Sequence, residues 1–499
     1  MMLMEQRMHE TADKGNVDDQ RVMSTFHYKQ ELRRTIRLFG SFAVAFSFIS
    51  ITTGIFANYE LVLDRSGPAG IWTWPVVIVG QLFVALVFAE LAARIPLTGY
   101  SYQWVTRLAG SGWGWFTGWV SVCFLIIVIP SVDHGIASIV GHMWEIPDGS
   151  IQLTWIVCGV IALQAVIHIF GVRFAERINS AAVFTEVVGM VGLVLIFAFL
   201  AVKNQPELGI LFEKVPLAEG QAYFPIWIMA CLMGAYTIVG FESAANLSEE
   251  TVDAARTVPK AVIWSVVVSG GVGTLFLIVT ILGIRDLDAV VASSYPLPMI
   301  IESNLGKPMA TAFFVLVVIS IFACGLIIMA SGSRMIYAMA RDNVFFGNAF
   351  FRRVSPSTSA PVPAILLVAG LGMLAEWYSE SLEQLLAAAA VLPAVIYLLT
   401  VATYALRRKS LPTGSDHFSL GRWGGIVSGA AIVWLVMIIA ILTIPQEFHS
   451  ATWVSVAVCI VGAVLYWGFI RGRIARGAAG VHAANVKDID EFTTSHAGD

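Results

Sequence analysis

Apolar runs long enough to cross a bilayer, separated by short polar connections, recur along almost the whole chain. A helix rises 1.5 Å per residue, so about 20 apolar residues cover a hydrocarbon core of roughly 30 Å. On that criterion the pattern predicts twelve spans, at 37–63, 69–95, 113–141, 152–170, 178–202, 222–246, 260–284, 308–340, 361–377, 382–406, 423–444 and 451–471. No segment between them is long enough for a soluble domain. The longest polar stretches are the tails, 1–36 and 472–499, and the connections near 203–221 and 285–307. Within the last of these, residues 289–301 are apolar and predict a short helix on the surface. The tails read as disordered or regulatory.

Two spans are interrupted. The first carries small, polar and β-branched residues at its middle, Ser47-Phe48-Ile49-Ser50-Ile51-Thr52-Thr53-Gly54, and the sixth carries Gly234-Ala235-Tyr236-Thr237-Ile238-Val239-Gly240-Phe241-Glu242. Hydroxyls can cap freed backbone groups there, and glycine permits unusual dihedrals. The two spans are five apart, so an alternating topology runs them in opposite directions. Paired interruptions in inverted halves mark the binding site of a carrier. A half-helix N-terminus offers unpaired N–H groups to a carboxylate, and freed carbonyls can take an ammonium or Na⁺. Either stretch alone is better read as a device for close helix packing; the symmetric pair is what points to a site. The candidate substrate-binding residues are therefore Ser50, Ile51, Thr52, Thr53 and Gly54 on one span and Tyr236, Thr237, Gly240 and Phe241 on the other.

Composition agrees with the pattern. Only 13% of the 499 residues are charged and 57% are hydrophobic, with a mean hydropathy of +0.78, whereas soluble proteins carry about 25% charge. The net charge of −4 decides nothing, but the placement of the basic residues does. All but five of the 30 Lys and Arg fall in the tails and the even-numbered connections or at their edges; the exceptions are Arg65, Lys203, Lys214, Arg285 and Lys307. By the positive-inside rule both termini are cytoplasmic, which predicts a multi-pass protein of the inner (plasma) membrane. No cleavage site follows the first apolar run, so that run is expected to stay as a membrane helix. The five cysteines sit one per apolar block without ligand spacing and read as small fillers.

The motifs themselves resemble a known family, the amino acid–polyamine–organocation permeases, and within it the bacterial amino acid/choline branch. Ile51-Thr52-Thr53-Gly54-Ile55-Phe56 is similar to the family's first-helix motif, with Thr52 and Thr53 replacing smaller residues. Phe88-Ala89-Glu90-Leu91-Ala92-Ala93-Arg94-Ile95-Pro96, followed by Thr98-Gly99-Tyr100-Ser101-Tyr102-Gln103-Trp104, resembles the second-helix motif and the segment after it. Gly240-Phe241-Glu242-Ser243-Ala244-Ala245 matches the sixth-helix motif, and Ser333 to Asp342 resembles the end of helix eight, with Asn343 where a glycine is usual. The resemblance spans roughly residues 37–406. It implies an all-α, leucine-transporter-like fold of two inverted five-helix repeats (37–202 and 222–406) plus two accessory helices (423–471). It also implies import or exchange of amino acids or amines by alternating access, with no cofactor beyond a coupling proton or sodium ion.

An ionisable residue at bilayer depth costs at least ~2.5–3.5 kcal/mol and needs an explanation. Glu242 lies in the interrupted sixth span; the resemblance implies that this acid responds to protonation and links the substrate site to the inner gate. Glu186 lies in the fifth span, where many proton-coupled relatives carry a lysine; as an acid it can take the proton or help hold a cation. Asp133 and His134, in the outer half of the third span, are candidates for reading a substrate ammonium or relaying a proton, with packing as the plainer role for His134 and for His168. Glu90, Arg94, Arg334, Arg341 and Asp342 read as clamps at the inner face. Trp72, Trp74, Trp113, Trp115, Trp423 and Trp453 lie at span ends, as interfacial anchors do. Tyr236 and Phe241 flank the sixth-span break, where an aromatic ring can gate the site or cover a cation.

Three other classes compete with a carrier. A membrane-embedded enzyme would need HExxH, GxSxG, a Walker pattern or a metal-spaced His/Asp cluster, and the sequence shows none of them. A nutrient sensor with a permease fold would carry a longer signalling tail than 472–499, and a channel does not need an occluding pair of broken helices. The expected partners are a small amino acid or amine and the lipid bilayer, not nucleic acid, with the chain acting as a monomer or homodimer.

Overall fold

A computed structural model describes residues 32, 34–144, 146–147, 150–215, 222–293, 295–378, 382–411 and 417–480. Most of the N-terminal tail, the end of the 203–221 connection and the C-terminal tail beyond residue 480 lie outside the described residues. Those described form an all-helical bundle. Among the described residues ten helices are apolar and long enough to cross a membrane, and two shorter apolar ones, Tyr223–Thr237 and Val362–Tyr378, match the predicted sixth and ninth spans. The predicted 289–301 surface segment is two short helices, Leu287–Val291 and Pro296–Leu305.

The first span is two helices, Leu38–Ile49 and Ile51–Ser66, joined at Ser50 (φ 35°, ψ 86°). The joint is a single residue, so Ile51 to Gly54, expected within the interruption, open the second helix instead. The sixth span breaks more completely. Its helical part ends at Thr237, residues 238–242 are unwound with Gly240 at φ 78°, and a short turn, Ser243–Asn246, follows. Freed backbone groups find partners, as they must away from water. The Gly240 N–H donates to Tyr397 Oη (2.9 Å) and Cys324 Sγ reaches the Phe48 carbonyl (3.2 Å), while Ser243 Oγ ties the turn to the first span by donating to the Val44 carbonyl inside the Leu38–Ile49 helix (3.2 Å).

Two features of the core were not expected. Residues Tyr100–Ala109, between the second and third spans, form a helix of their own whose first seven residues are buried. Trp74 and Trp115 do not stand at the lipid interface: both are buried, donating to the Gly270 and Val344 carbonyls at 3.2 and 2.9 Å. Trp74 is accommodated because Gly273, on the seventh span, has no Cβ to strike its ring. Trp113, Trp423 and Trp453 are exposed, as anchors would be.

Candidate functional site

The two broken spans cross where they break. A Cβ on Gly54 would overlap the Thr237 side chain, and one on Gly240 would overlap the Phe48 ring, so both glycines are what lets the backbones approach. The sequence-predicted residues Ser50, Ile51, Thr52, Thr53, Gly54, Tyr236, Thr237, Gly240 and Phe241 are all buried around this crossing. Thr237 spends its hydroxyl on the Met233 carbonyl (2.5 Å), one turn back on its own helix.

Beside the crossing, five oxygen-bearing side chains converge. Ser50 Oγ lies 2.6 Å from Thr53 Oγ1 and 3.2 Å from Ser320 Oγ, and Thr52 Oγ1 lies 2.8 Å from the same Ser320 Oγ. Thr52 Oγ1 also donates to Glu186 Oε1 at 3.0 Å. All five are buried. The fifth-span acid is thus drawn to the joint of the first span through hydroxyls, with Ser320 of the eighth span as the hub. Sequence reasoning missed Ser320, because one serine inside the 35-residue helix Lys307–Arg341 carries no pattern.

Glu242 occupies a different corner. Its Oε2 accepts from Tyr397 Oη at 2.6 Å, and that same hydroxyl accepts the Gly240 N–H. Tyr397, on the tenth span, therefore ties the acid to the unwound backbone. Phe241 packs away from any opening, in an aromatic cluster with Phe88 and Tyr397 at centroid distances of 5.9 and 5.3 Å. It fills the core and does not cover a chamber. Tyr236 stays at the crossing, its hydroxyl 3.4 Å from Ser131 Oγ.

A cavity of ≈ 170 Å³ lies between the Ile51–Ser66 helix of the first span, the third and eighth spans and the Pro296–Leu305 helix. Of the sequence-predicted substrate residues, only Thr53 lines it. Asp133 does not: its neighbours Ser131 and Val132 do, while its own carboxylate turns back into the bundle and accepts from Gln164 Nε2 at 2.8 Å. The other Asp133 oxygen and Gln164 Oε1 have no partner among the described residues. His134 Nδ1 meets the buried Glu376 at 3.3 Å, and His168 Nε2 meets the Leu326 carbonyl at 2.7 Å, so both histidines serve contacts between helices.

The opposite end of the bundle is sealed. Arg334 contacts Glu250 at 2.7 Å, both fully buried, and Arg341 contacts Glu249 at 2.9 Å. Glu249 also accepts from the Thr98 N–H, and Asp342 accepts from Tyr102 and Gln103. Ile36, just before the first span, pairs with Thr251 in an isolated parallel bridge. Glu90 accepts from Tyr404, Ser419 Oγ and the Leu420 N–H, closing the neighbouring corner.

Two discontinuous helices crossing at buried hydroxyls and acids, open to a cavity at one end and closed by ion pairs at the other, define a helical membrane carrier. Its family is equally definite: the chain belongs to the amino acid permease family, whose model matches residues 36–466. Among known proteins it is similar to the amino-acid permease BAT1 of Arabidopsis thaliana, at 24% identity over 89% of this chain and 92% of that one. It is similar to the GABA-specific permease of Saccharomyces cerevisiae, at 26% over 97% and 89%. The low-affinity putrescine importer PlaP of Escherichia coli matches at 24%, over 80% and 88%.

Proposed function

We propose that the protein is a proton-coupled secondary transporter that imports a small amino acid or amine by alternating access across the plasma membrane, with both termini cytoplasmic. The observation that carries this is the crossing of the two broken spans beside buried Glu186 and Glu242, between a cavity and a sealed face. The cavity's ≈ 170 Å³ is below the roughly 300–1,000 Å³ of drug-sized pockets, which favours a small cargo. Relatives named for GABA and for putrescine support amino acids and amines as the cargo class. The two inverted halves are taken as 37–202 and 222–406, with 423–471 outside them.

In this reading Glu242 is the proton carrier. Its bond to Tyr397, and through it to the Gly240 N–H, links any change in its charge to the unwound segment of the sixth span. That segment leads directly to Glu249 and Glu250 of the inner seal, so loading the acid alters the strain on the gate. A second reading is sodium coupling, favoured by the oxygen set of Ser50, Thr52, Thr53, Ser320 and Glu186, which is of the hard-ligand kind that suits an alkali cation.

Uptake into proteoliposomes tests both. Accumulation of a labelled amino acid or amine that collapses with a protonophore supports proton coupling, and a strict requirement for sodium moves the coupling site to Glu186. Glu242→Gln is expected to abolish proton-driven accumulation while keeping exchange; unchanged accumulation in that variant removes Glu242 from the mechanism.

A further inference from the structure

The cavity's wall differs in chemistry from the crossing beneath it. Phe56, Tyr59, Tyr295 and Phe314 put four aromatic rings around it, Ser131 adds a hydroxyl, and Glu60 is its one charged residue. Thr53 and Glu60 are seven residues apart on the Ile51–Ser66 helix, so they share one face with roughly 10 Å of rise between them. Asp64 continues that face one turn further out and is exposed, as Glu60 is. The nearest cation along the helix, Arg65, is paired with Glu447 at 3.4 Å, and no cation pairs with Glu60 among the described residues. Tyr59 is 1% exposed and its hydroxyl, buried, makes no hydrogen bond among the described residues. A buried tyrosine hydroxyl ordinarily has a partner.

Aromatic faces carry negative charge at their centres and attract ammonium groups, most strongly when desolvated. An unpaired carboxylate beside them adds a full opposite charge, and nothing in the wall offers a cation to a carboxylate. We infer that this cavity is a cation-selecting outer subsite, in which Glu60 and the surrounding rings receive the ammonium of an organic amine, so that cargo with net positive charge is preferred to a zwitterion. The inference rests on the carrier reading above. Glu60 and Tyr59 are specificity-determining residues, distinct from the crossing that both kinds of cargo would share.

The test is uptake by the full chain in proteoliposomes of a diamine, putrescine, and a zwitterion, γ-aminobutyrate, in the unaltered protein, Glu60→Gln, Glu60→Asp and Tyr59→Phe. Glu60 is exposed, so neither of its variants endangers folding. Glu60→Gln is expected to raise KM for the diamine roughly fivefold, the size of one partly solvated ion pair, with less than a twofold change for the zwitterion. Glu60→Asp restores part of the preference, and added salt weakens diamine uptake in the unaltered protein but not in Glu60→Gln. Tyr59→Phe raises KM for the diamine without lowering the melting temperature, since the lost hydroxyl bonds to nothing among the described residues. A KM ratio between the two cargoes that Glu60→Gln leaves unmoved overturns the inference while the carrier reading stands. Uptake of neither cargo, nor of any other amine or amino acid, by the unaltered protein overturns both.

Discussion

The ion-pair seal offers the sharpest quantitative test. Arg334 and Glu250 are both buried, with Arg334 Nε 2.7 Å from one carboxylate oxygen and Nη2 3.4 Å from the other. Glu250→Ala removes the carboxylate and leaves the guanidinium, among the described residues, with its bond to Ser333 Oγ at 3.1 Å. Breaking a buried pair from one side costs roughly 3–5 kcal/mol, because a charge is left without water or partner. In the carrier proposed above, opening this end of the bundle would hydrate that charge, so the same penalty raises the closed state relative to the open one. At about 1.4 kcal/mol per factor of ten, the open population grows from about a hundredfold to a few thousandfold. Cys324 is a built-in reporter: it is 2% exposed and its thiol is held against the Phe48 carbonyl beside the first-span joint. With the other four cysteines replaced by alanine, a membrane-permeant maleimide should label Cys324 at least a hundredfold faster in Glu250→Ala. The pair Arg334→Met with Glu250→Leu, which removes both charges, should return labelling close to its starting rate. Unchanged labelling in the single variant, with an unchanged melting temperature, would refute the claim that this ion pair holds the inner face shut.

Two further outcomes follow from close approaches. Gly240→Ala places a methyl on the Phe48 ring at a positive φ, and is expected to abolish uptake and to lower the melting temperature; retained uptake would mean that the two breaks need not cross. Gly325→Ala drives a methyl onto the hydrogen bond between Gln164 and Asp133, which should destabilise the fold by roughly 1–3 kcal/mol, read as a lowered melting temperature in detergent.

Much of this architecture was legible in the sequence because a bilayer asks one simple thing of each span. Apolar length alone locates the helices, and charge outside them gives an orientation. The interruptions were legible for a related reason: Ser50 and Gly240 are residues a continuous lipid-facing helix would not favour. What stayed hidden depends on neighbours far away in the chain. Tyr397 is 155 residues from Glu242 and looks like any aromatic of an apolar helix. Ser320 is 134 residues from Glu186, and its hydroxyl gives no periodic signal. Trp74 stands at a span end like an anchor, and only the absence of a side chain at Gly273 reveals that another helix closes over it. Asp133 has the depth of a ligand residue, yet which way its carboxylate turns is decided by Gln164, on the next span.

The joint at Ser50 has a mechanical consequence. Beyond it the helix Ile51–Ser66 runs 16 residues without a break, a rigid arm of roughly 24 Å at 1.5 Å per residue. A rotation of only 10° about that one residue would carry the arm's tip through about 4 Å, comparable to the width of an ammonium-bearing chain. Because Thr53 and Glu60 ride on the same arm, the pivot that widens the doorway also moves the groups that greet whatever passes through it.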